Sequence, residues 1–274
     1  MLIKETLKEL GLAPAKSRGQ NFLKAENQIE RICRAVLEAA GERPELMEIG
    51  PGLGALTRPL LAAGAKITAV ELDKGLAGNL HKLAEAYPGR LTVLHRDILS
   101  LGHDDFSAAE PIHLYGNLPY NISSPVILWF LAFRRFFGGA TFMLQKEMAR
   151  RLAARPGGRD YGRLSVVVSL FCEVKPLMEV PPSAFHPRPQ VDSLVLALKL
   201  RPPERAAAID PGHLGRLTAA VFAARRKTVF NNLSRAYGRE KAGSALADLK
   251  IDPGLRAETL EPGVLAALAE ILEK

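Results

Sequence analysis

The chain predicts an α/β fold: a Rossmann-like, mostly parallel sheet followed by a small all-α C-terminal domain. Two observations carry that expectation. Short β-rich runs alternate with segments of helical spacing through the first two hundred residues, the pattern of βαβ units in a sheet covered on both faces. After Pro202-Pro203 the strand-like runs stop and only helical periodicity remains.

In chain order, the candidate strands are Leu46–Gly50, Lys66–Glu71, Leu91–Leu94, Ile112–Tyr115 and Ala140–Leu144. Helical spacing lies between them, as in Ala55–Ala63 and Gly75–Ala86. Two later runs, Leu164–Val174 and Ser193–Leu200, have a proline-rich connection and no evident helix between them, and read as an antiparallel pair closing the sheet. The tail reads as helices over His213–Arg226, Arg239–Leu249 and Glu261–Glu273. The expected division is 1–203 for the sheet domain and 204–274 for the helical domain.

A length of 274 residues with 47% hydrophobic content suits one large domain, or a large one with a small partner. Cys33 and Cys172, the only cysteines, form no CxxC or Cys/His pattern. This excludes a disulfide framework and a structural zinc site, fits a reducing cytosol, and gives no expectation of a metal. The opening MLIKETLKELGL alternates charged and apolar residues, unlike a signal peptide. The longest apolar run, Val126 to Phe133, is too short to span a bilayer.

The net charge of +8 is unevenly placed. Arg134–Arg163 holds eight Lys/Arg against Glu147 and Asp160, and Arg216–Arg239 holds six Lys/Arg with no acid. Solvated helix faces are one explanation for such segments. Two of them in a chain whose remainder is net negative point to a polyanion, with Arg150, Arg151, Arg225, Arg226 and Lys227 as candidate RNA contacts.

The first strand runs into Glu48-Ile-Gly50-Pro-Gly52-Leu-Gly54, where glycines let backbone approach a ligand. Any tight strand-to-helix turn can be built this way, but the next strand ends in Glu71-Leu72-Asp73, seventeen residues after Gly54. A carboxylate there suits two ribose hydroxyls. The spacing is GxGxG, which does not match the pyrophosphate cradle GxGxxG, and Glu48 suits a cation better than phosphates. Arg96-Asp97-Ile98 then places a further acceptor for an exocyclic adenine amine. S-adenosylmethionine is therefore expected, ahead of a dinucleotide for an oxidoreductase.

After the strand at Ile112–Tyr115 comes Gly116-Asn117-Leu118-Pro119-Tyr120-Asn121-Ile122-Ser123. An adenine amine is a weak nucleophile because its lone pair is delocalised into the ring. Acceptors from the Asn117 side chain and the Leu118 carbonyl would localise that pair, Pro119 would hold Leu118 extended, and Tyr120 would stack on the base. Phe185, in the proline-stiffened Ala184–Ser193 loop, offers a ring for the other face; the plainer alternative is that it packs in the core. His186 has no partner that would make it a base or a ligand.

These stretches, with Gly19-Gln20-Asn21-Phe22-Leu23, Tyr161-Gly162-Arg163-Leu164-Ser165, Phe185 through Ser193, Arg225-Arg226-Lys227-Thr228 and Asn231-Asn232-Leu233, make the chain resemble the KsgA-type small-subunit rRNA adenine dimethyltransferases over nearly its whole length. The resemblance implies transfer of two methyl groups to N6 of each of two adjacent adenines in a hairpin loop near the 3′ end of that rRNA, and a role in checking ribosome assembly. It implies a monomer acting in the cytoplasm on rRNA in the pre-ribosomal subunit, with no membrane and no metal. By the same resemblance Asn21, Leu23, Gly50, Glu71, Asp97 and Asn117 line the cofactor site, and Gln20, Glu48, Gly52, Leu72 and Ile98 complete the expected set. Asn117, Leu118, Pro119, Tyr120 and Phe185 are the expected catalytic group. The competing readings are a resistance-type methyltransferase acting on a large-subunit rRNA adenine, and an RNA-binding assembly factor with vestigial catalysis.

Overall fold

A computed structural model describes residues 3–14, 20–41, 45–106, 111–202 and 211–273. Gly19 and the expected domain boundary at 203/204 lie outside them. The chain divides into two compact units, one from the described residues of Met1–Ala149 and Lys175–Lys199, the other from Arg150–Val174 and Leu200–Lys274. The second unit thus takes an internal segment as well as the tail, which a single cut at 203/204 does not capture.

The first unit opens with helix α1 (Ile3–Glu9), strand β1 (Phe22–Leu23) and helix α2 (Glu26–Ala40). It continues through β2 (Glu45–Ile49), α3 (Thr57–Ala62), β3 (Lys66–Glu71), α4 (Lys74–Glu85), β4 (Leu91–His95), β5 (Ile112–Asn117), α5 (Ser123–Ala132) and β6 (Phe137–Gln145), and α6 (Lys146–Leu152) passes into the second unit at Arg150. After α7 (Arg163–Phe171) come β7 (Cys172–Val180), β8 (Phe185–His186) and β9 (Ser193–Leu200). The seven-stranded sheet runs β4-β3-β2-β5-β6-β9-β7. The strands from β4 through β6 are parallel, and β9 is antiparallel to β6. β1 and β8 form a separate antiparallel pair.

Each expected parallel strand forms, and the inner ones are buried on both faces: Leu46, Met47 and Ile49 in β2, Ile67, Ala69 and Val70 in β3, Leu114 and Tyr115 in β5. Helices α2 and α3 pack on one face through Ile32, Val36, Leu60 and Leu61. The order turns back between β2 and β5: chain progress from β2 runs outward to β3 and β4, then resumes on the other side at β5. Open α/β sheets bind ligands at the carboxyl ends of strands beside such a switch point.

The expected strand Leu164–Val174 is corrected by the structure. Its first part is helix α7, and the strand is β7, beginning only at Cys172. The Ser165 hydroxyl accepts from the Gly162 N–H at 3.1 Å and starts the helix. Val166, Val167, Val168 and Phe171 are all buried. A helix buried on several sides carries a continuous apolar run, which periodicity alone cannot tell from a buried strand.

In the second unit, α7 packs with α8 (Pro211–Val221) and α11 (Pro262–Leu272), and α9 (Val229–Tyr237) and α10 (Arg239–Asp248) pack together. The Tyr161 hydroxyl donates to the Leu260 carbonyl at 2.9 Å, and the Gly157 N–H to that of Glu258 at 2.6 Å. These two bonds fasten the internal segment to the tail. The expected helix His213–Arg226 ends early, at Val221, and α9 begins at Val229 behind a Thr228 cap whose hydroxyl accepts from the Asn231 N–H. Asn232 fixes the intervening turn by donating its side-chain amide to the carbonyls of Val221 and Ala224.

Candidate active site

A cavity opens at the carboxyl edge of the first unit's sheet. Residues of the β2 turn, the ends of β3 and β4, the segment after β5, and the Gln20–Leu23 stretch line it. The turn after β2 is built on left-handed backbone: Gly50, Gly52 and Gly54 have φ of 63°, 60° and 81°. Gly52 is doubly required, since a Cβ there would meet the Phe22 ring at 3.2 Å. The bare backbone it leaves is a wall of the cavity.

Glu71, at the end of β3, is 6% exposed. Its Oε2 accepts from the Gly52 N–H at 3.0 Å and its Oε1 from the Asp73 N–H at 2.9 Å. The carboxylate therefore ties the glycine turn to β3 and keeps one lone pair per oxygen for a ligand. Burial pushes its pKa up, while the backbone N–H groups of Asp73, Gly52 and Leu72 oppose that. The adjacent Asp73 plays a different part, in which its Oδ1 caps α4 by accepting from the N–H groups of Gly75 and Leu76.

Leu72 follows Glu71 with 53% of its surface exposed at the cavity rim. Asp97 is exposed there too, with Oδ1 held by the Leu99 N–H at 2.9 Å, and Ile98 is buried beside it. An apolar rim residue and a carboxylate at the end of the adjacent strand suit the flat face and the exocyclic amine of an adenine.

Glu48, 2% exposed, is among the lining residues, but its Oε2 is engaged by the Thr57 hydroxyl at 2.6 Å and the Tyr115 hydroxyl at 2.7 Å. Burial raises its pKa to about 7, against the two hydroxyl donors. Among the described residues Arg96 is the one basic side chain on the lining, and its guanidinium is engaged by Asp105 and by the Ser100 carbonyl. The lining thus carries Glu48, Glu71 and Asp97 against a single, already paired cation. Such a site repels a pyrophosphate and suits a positively charged ligand with a ribose and an adenine, which is the chemistry of S-adenosylmethionine.

The target side is equally ordered. The Asn117 side-chain Nδ2 donates to the Asn21 carbonyl at 3.0 Å, which turns Oδ1 outward as an acceptor. Leu118 is 1% exposed, and its N–H bonds to the Met143 carbonyl at 3.1 Å. The Pro119 carbonyl accepts from the Ile122 N–H and the Ser123 hydroxyl, at 3.2 and 3.0 Å, so the loop after Leu118 is locked onto the start of α5. Tyr120 is half-buried on the cavity wall, and that burial lifts its hydroxyl pKa above the ordinary value.

Sequence reasoning passed over the supports of this arrangement. β1 pairs Phe22 with His186 and Leu23 with Phe185, and so holds the Asn21 carbonyl in place for Asn117. Gly116 lets β5 pass β2, because a Cβ there would lie 2.5 Å from the Ile49 carbonyl oxygen. Helix α1 packs Ile3 and Leu7 on Phe22, Leu53 and Leu76, backing the glycine turn. A glycine directly before Asn117-Leu118-Pro119-Tyr120 was a legible signal for the second of these; nothing local marks the other two.

One expected catalytic residue is corrected. Phe185 is 2% exposed in the core with Leu23, Val180 and Ala184, and is not on the cavity lining. Pairing of β8 with β1 draws its ring inward. Of the two expected clamps only Tyr120 faces the cavity.

A crevice that welcomes a cation, an adenosine and a nucleophilic amine on this sheet order defines an S-adenosylmethionine-dependent methyltransferase. Comparison with known proteins narrows the class. The family model described as ribosomal RNA adenine dimethylase matches residues 13–274. A protein named ribosomal RNA small subunit methyltransferase A, from Xanthomonas euvesicatoria pv. vesicatoria (strain 85-10), is 42% identical over 260 residues, covering 94% of this chain and 97% of that one. The crystal structure of a dimethyladenosine transferase from Plasmodium falciparum matches with TM-score 0.74 and 26% identity, over 90% of this chain and 95% of that one. The 23S rRNA methyltransferase ErmE matches with TM-score 0.65 and 29% identity, over 93% and 100%. The chain belongs to the ribosomal RNA adenine dimethylase family.

Replacing Glu71 with Ala removes the tie to Gly52 together with the carboxylate expected to accept from the cofactor's ribose. Cofactor binding measured by calorimetry should weaken by about 1–3 kcal/mol, the range for hydrogen bonds to a charged group. Unchanged affinity would remove Glu71 from the site.

Proposed function

We propose that this protein transfers two methyl groups from S-adenosylmethionine to N6 of each of two adjacent adenines in a hairpin loop near the 3′ end of small-subunit (16S) rRNA. On this reading it works as a monomer in the cytoplasm, on rRNA already within the assembling subunit. The observation that carries it is the bond from Asn117 Nδ2 to the Asn21 carbonyl. It commits the amide's donor end to the protein and leaves its acceptor end for an N–H.

Bound S-adenosylmethionine supplies a methyl group on a sulfonium, so no base is needed to generate the electrophile. Asn117 Oδ1 and the Leu118 carbonyl accept the two amine hydrogens and localise the nitrogen lone pair for attack. Transfer would form the C–N bond as the methyl C–S bond breaks with its electron pair going to sulfur, and the amine proton then lost would leave by whichever of these two acceptors holds it. After the first transfer the amine has one hydrogen left and satisfies only one acceptor. The open, one-sided stack on Tyr120 leaves room for that bulkier base.

The test is incubation with unmodified small subunits and isotopically labelled S-adenosylmethionine, followed by mass spectrometry of the rRNA. Four methyl groups on two adjacent adenines are expected. Label on a large-subunit adenine, or none on small-subunit rRNA, would overturn the assignment.

RNA contact is expected from the second unit. Arg226 and Lys227 are exposed in the turn before α9, where a turn can present both to phosphates. Arg225 has structural work, since its Nη2 donates to the Arg159 carbonyl at 2.7 Å. Arg150 and Arg151, in the last turn of α6, are exposed. Changing Arg226 and Lys227 together to Ala should flatten the slope of log K against log salt by about 1–2 units, at roughly 0.7–0.9 per phosphate contact. Cofactor affinity should hold, because the cavity residues all belong to the first unit. An unchanged salt slope would assign these cations to solvation alone.

A further inference from the structure

Glu48 is buried on β2 without a counter-charge. From every side the groups that face it are neutral or acidic: Thr57 of α3, Tyr115 of β5, Cys33 of α2 and Glu71 of β3. Among the described residues no basic side chain acts on it. The fold instead aims two hydroxyl donors at one oxygen, Oε2, at 2.6 and 2.7 Å. Two donors on one oxygen keep that oxygen an acceptor, so any proton on the group sits on Oε1.

Burying an ionised carboxylate with no cation costs several kcal/mol, and such groups stay ionised only if something completes them. Glu48 sits between the two outcomes. Burial lifts its pKa to about 7, into the range where the group can exchange a proton near neutrality. What is missing is a positive charge, and the cavity it lines is the place where one can enter.

We propose that Glu48 is a specificity-determining residue that senses the charge of the bound cofactor: it gives up its proton when the sulfonium form binds and retains it when the neutral thioether product does. The inference rests on the proposed function and adds to it a means of telling substrate from product. The proton balance is simple. The carboxyl O–H breaks, its electrons stay on Glu48, and the proton leaves to solvent as the cation takes its place. Transfer of the methyl group removes the cation, and Glu48 takes a proton back. The spent cofactor is thereby left without its ionic partner while the methylated base is still in place.

Glu48 is also mechanically coupled to the target side. Tyr115 stands two residues before Asn117 on β5, and Glu48 two residues before Gly50 on β2. Their bond therefore joins the strand that carries the acceptor amide to the strand that carries the cradle.

Calorimetry of the full chain with S-adenosylmethionine and S-adenosylhomocysteine, each in two buffers of different ionisation enthalpy at pH 7, tests this. The two ligands share their amino-acid and adenosine groups and differ in the sulfonium. The sulfonium ligand should release a measurable fraction of a proton more than the thioether. Its affinity should rise from pH 6 toward pH 8 and then level off, because a deprotonated Glu48 is the binding form. Glu48→Gln should abolish the extra proton release and weaken S-adenosylmethionine about tenfold relative to S-adenosylhomocysteine. Tyr115→Phe, which keeps the carboxylate and removes one donor, should move the pH midpoint upward. Equal proton release by both ligands, or a Glu48→Gln variant that weakens both equally, would overturn the proposal. If wild type binds neither ligand, it is the proposed function that fails.

Discussion

Asn117→Ala should lower the single-turnover rate of methyl transfer by about two to three orders of magnitude, the loss expected when one preorganised polar contact to the reacting group is removed. The Asn21 carbonyl would lose its donor as well, but it belongs to a segment held by the β1–β8 pair, so the cavity should keep its shape. RNA affinity should barely move, because the adenine amine is one contact among many. Asn117→Asp is the informative companion. It is nearly isosteric, and it loses the donor to Asn21 while keeping an acceptor. If the oxygen alone mattered, Asp would retain most of the activity; if the Nδ2 anchor orients it, Asp should be nearly as slow as Ala. A single-turnover rate near wild type for the Ala variant would strip Asn117 of its assigned role.

Phe185→Ala should destabilise the protein by about 3–5 kcal/mol in denaturant unfolding, the usual cost of emptying an aromatic site in a packed core. The ring is 2% exposed and sits in the main core cluster with Leu23, so the loss should also loosen β1. Any fall in methyl transfer would then follow from unfolding or from a displaced Asn21 carbonyl. Phe185→Leu separates this from stacking on the base. A core role predicts a modest stability loss, on the order of 1 kcal/mol, with methyl transfer near wild type. A Leu variant that folds normally but transfers methyl groups poorly would return Phe185 to the base-binding surface.

Much of this site can be read from residue order alone, for a physical reason. The elements that form it are consecutive βα units, and the residues that face a ligand sit where each strand ends. Glu48, Glu71, Asp97 and Asn117 each stand in the last residues of a strand or just beyond it, so locating four strands located four side chains on one edge. Glycine spacing carried the choice of cofactor for the same reason: a turn's backbone path depends on where a missing Cβ is needed. The strand pattern failed at Leu164–Val174, where burial on several sides erased the helical period of α7. It also ran the first tail helix on to Arg226, past its end at Val221, and left out α9 (Val229–Tyr237), which a Thr228 cap and the Asn232 amide set off behind a turn.

Local sequence thus determined the α/β class, where the parallel strands fall along the chain, the glycine cradle and the Asn117–Tyr120 loop, because each depends on neighbours within a few residues. Only the tertiary structure decided which side of Phe185 is solvent, what Glu48 touches, and what Asn117 holds. Those depend on pairings across long separations: Leu23 with Phe185, Glu48 with Tyr115, Asn21 with Asn117. A phenylalanine in a stiff loop can pack or stack equally well as far as its own neighbours dictate, and a carboxylate before a glycine turn bears no local mark of two hydroxyls converging on it. Such contacts become visible only when folding brings distant strands to one edge, since their energy depends on burial and geometry that no short stretch of chain carries.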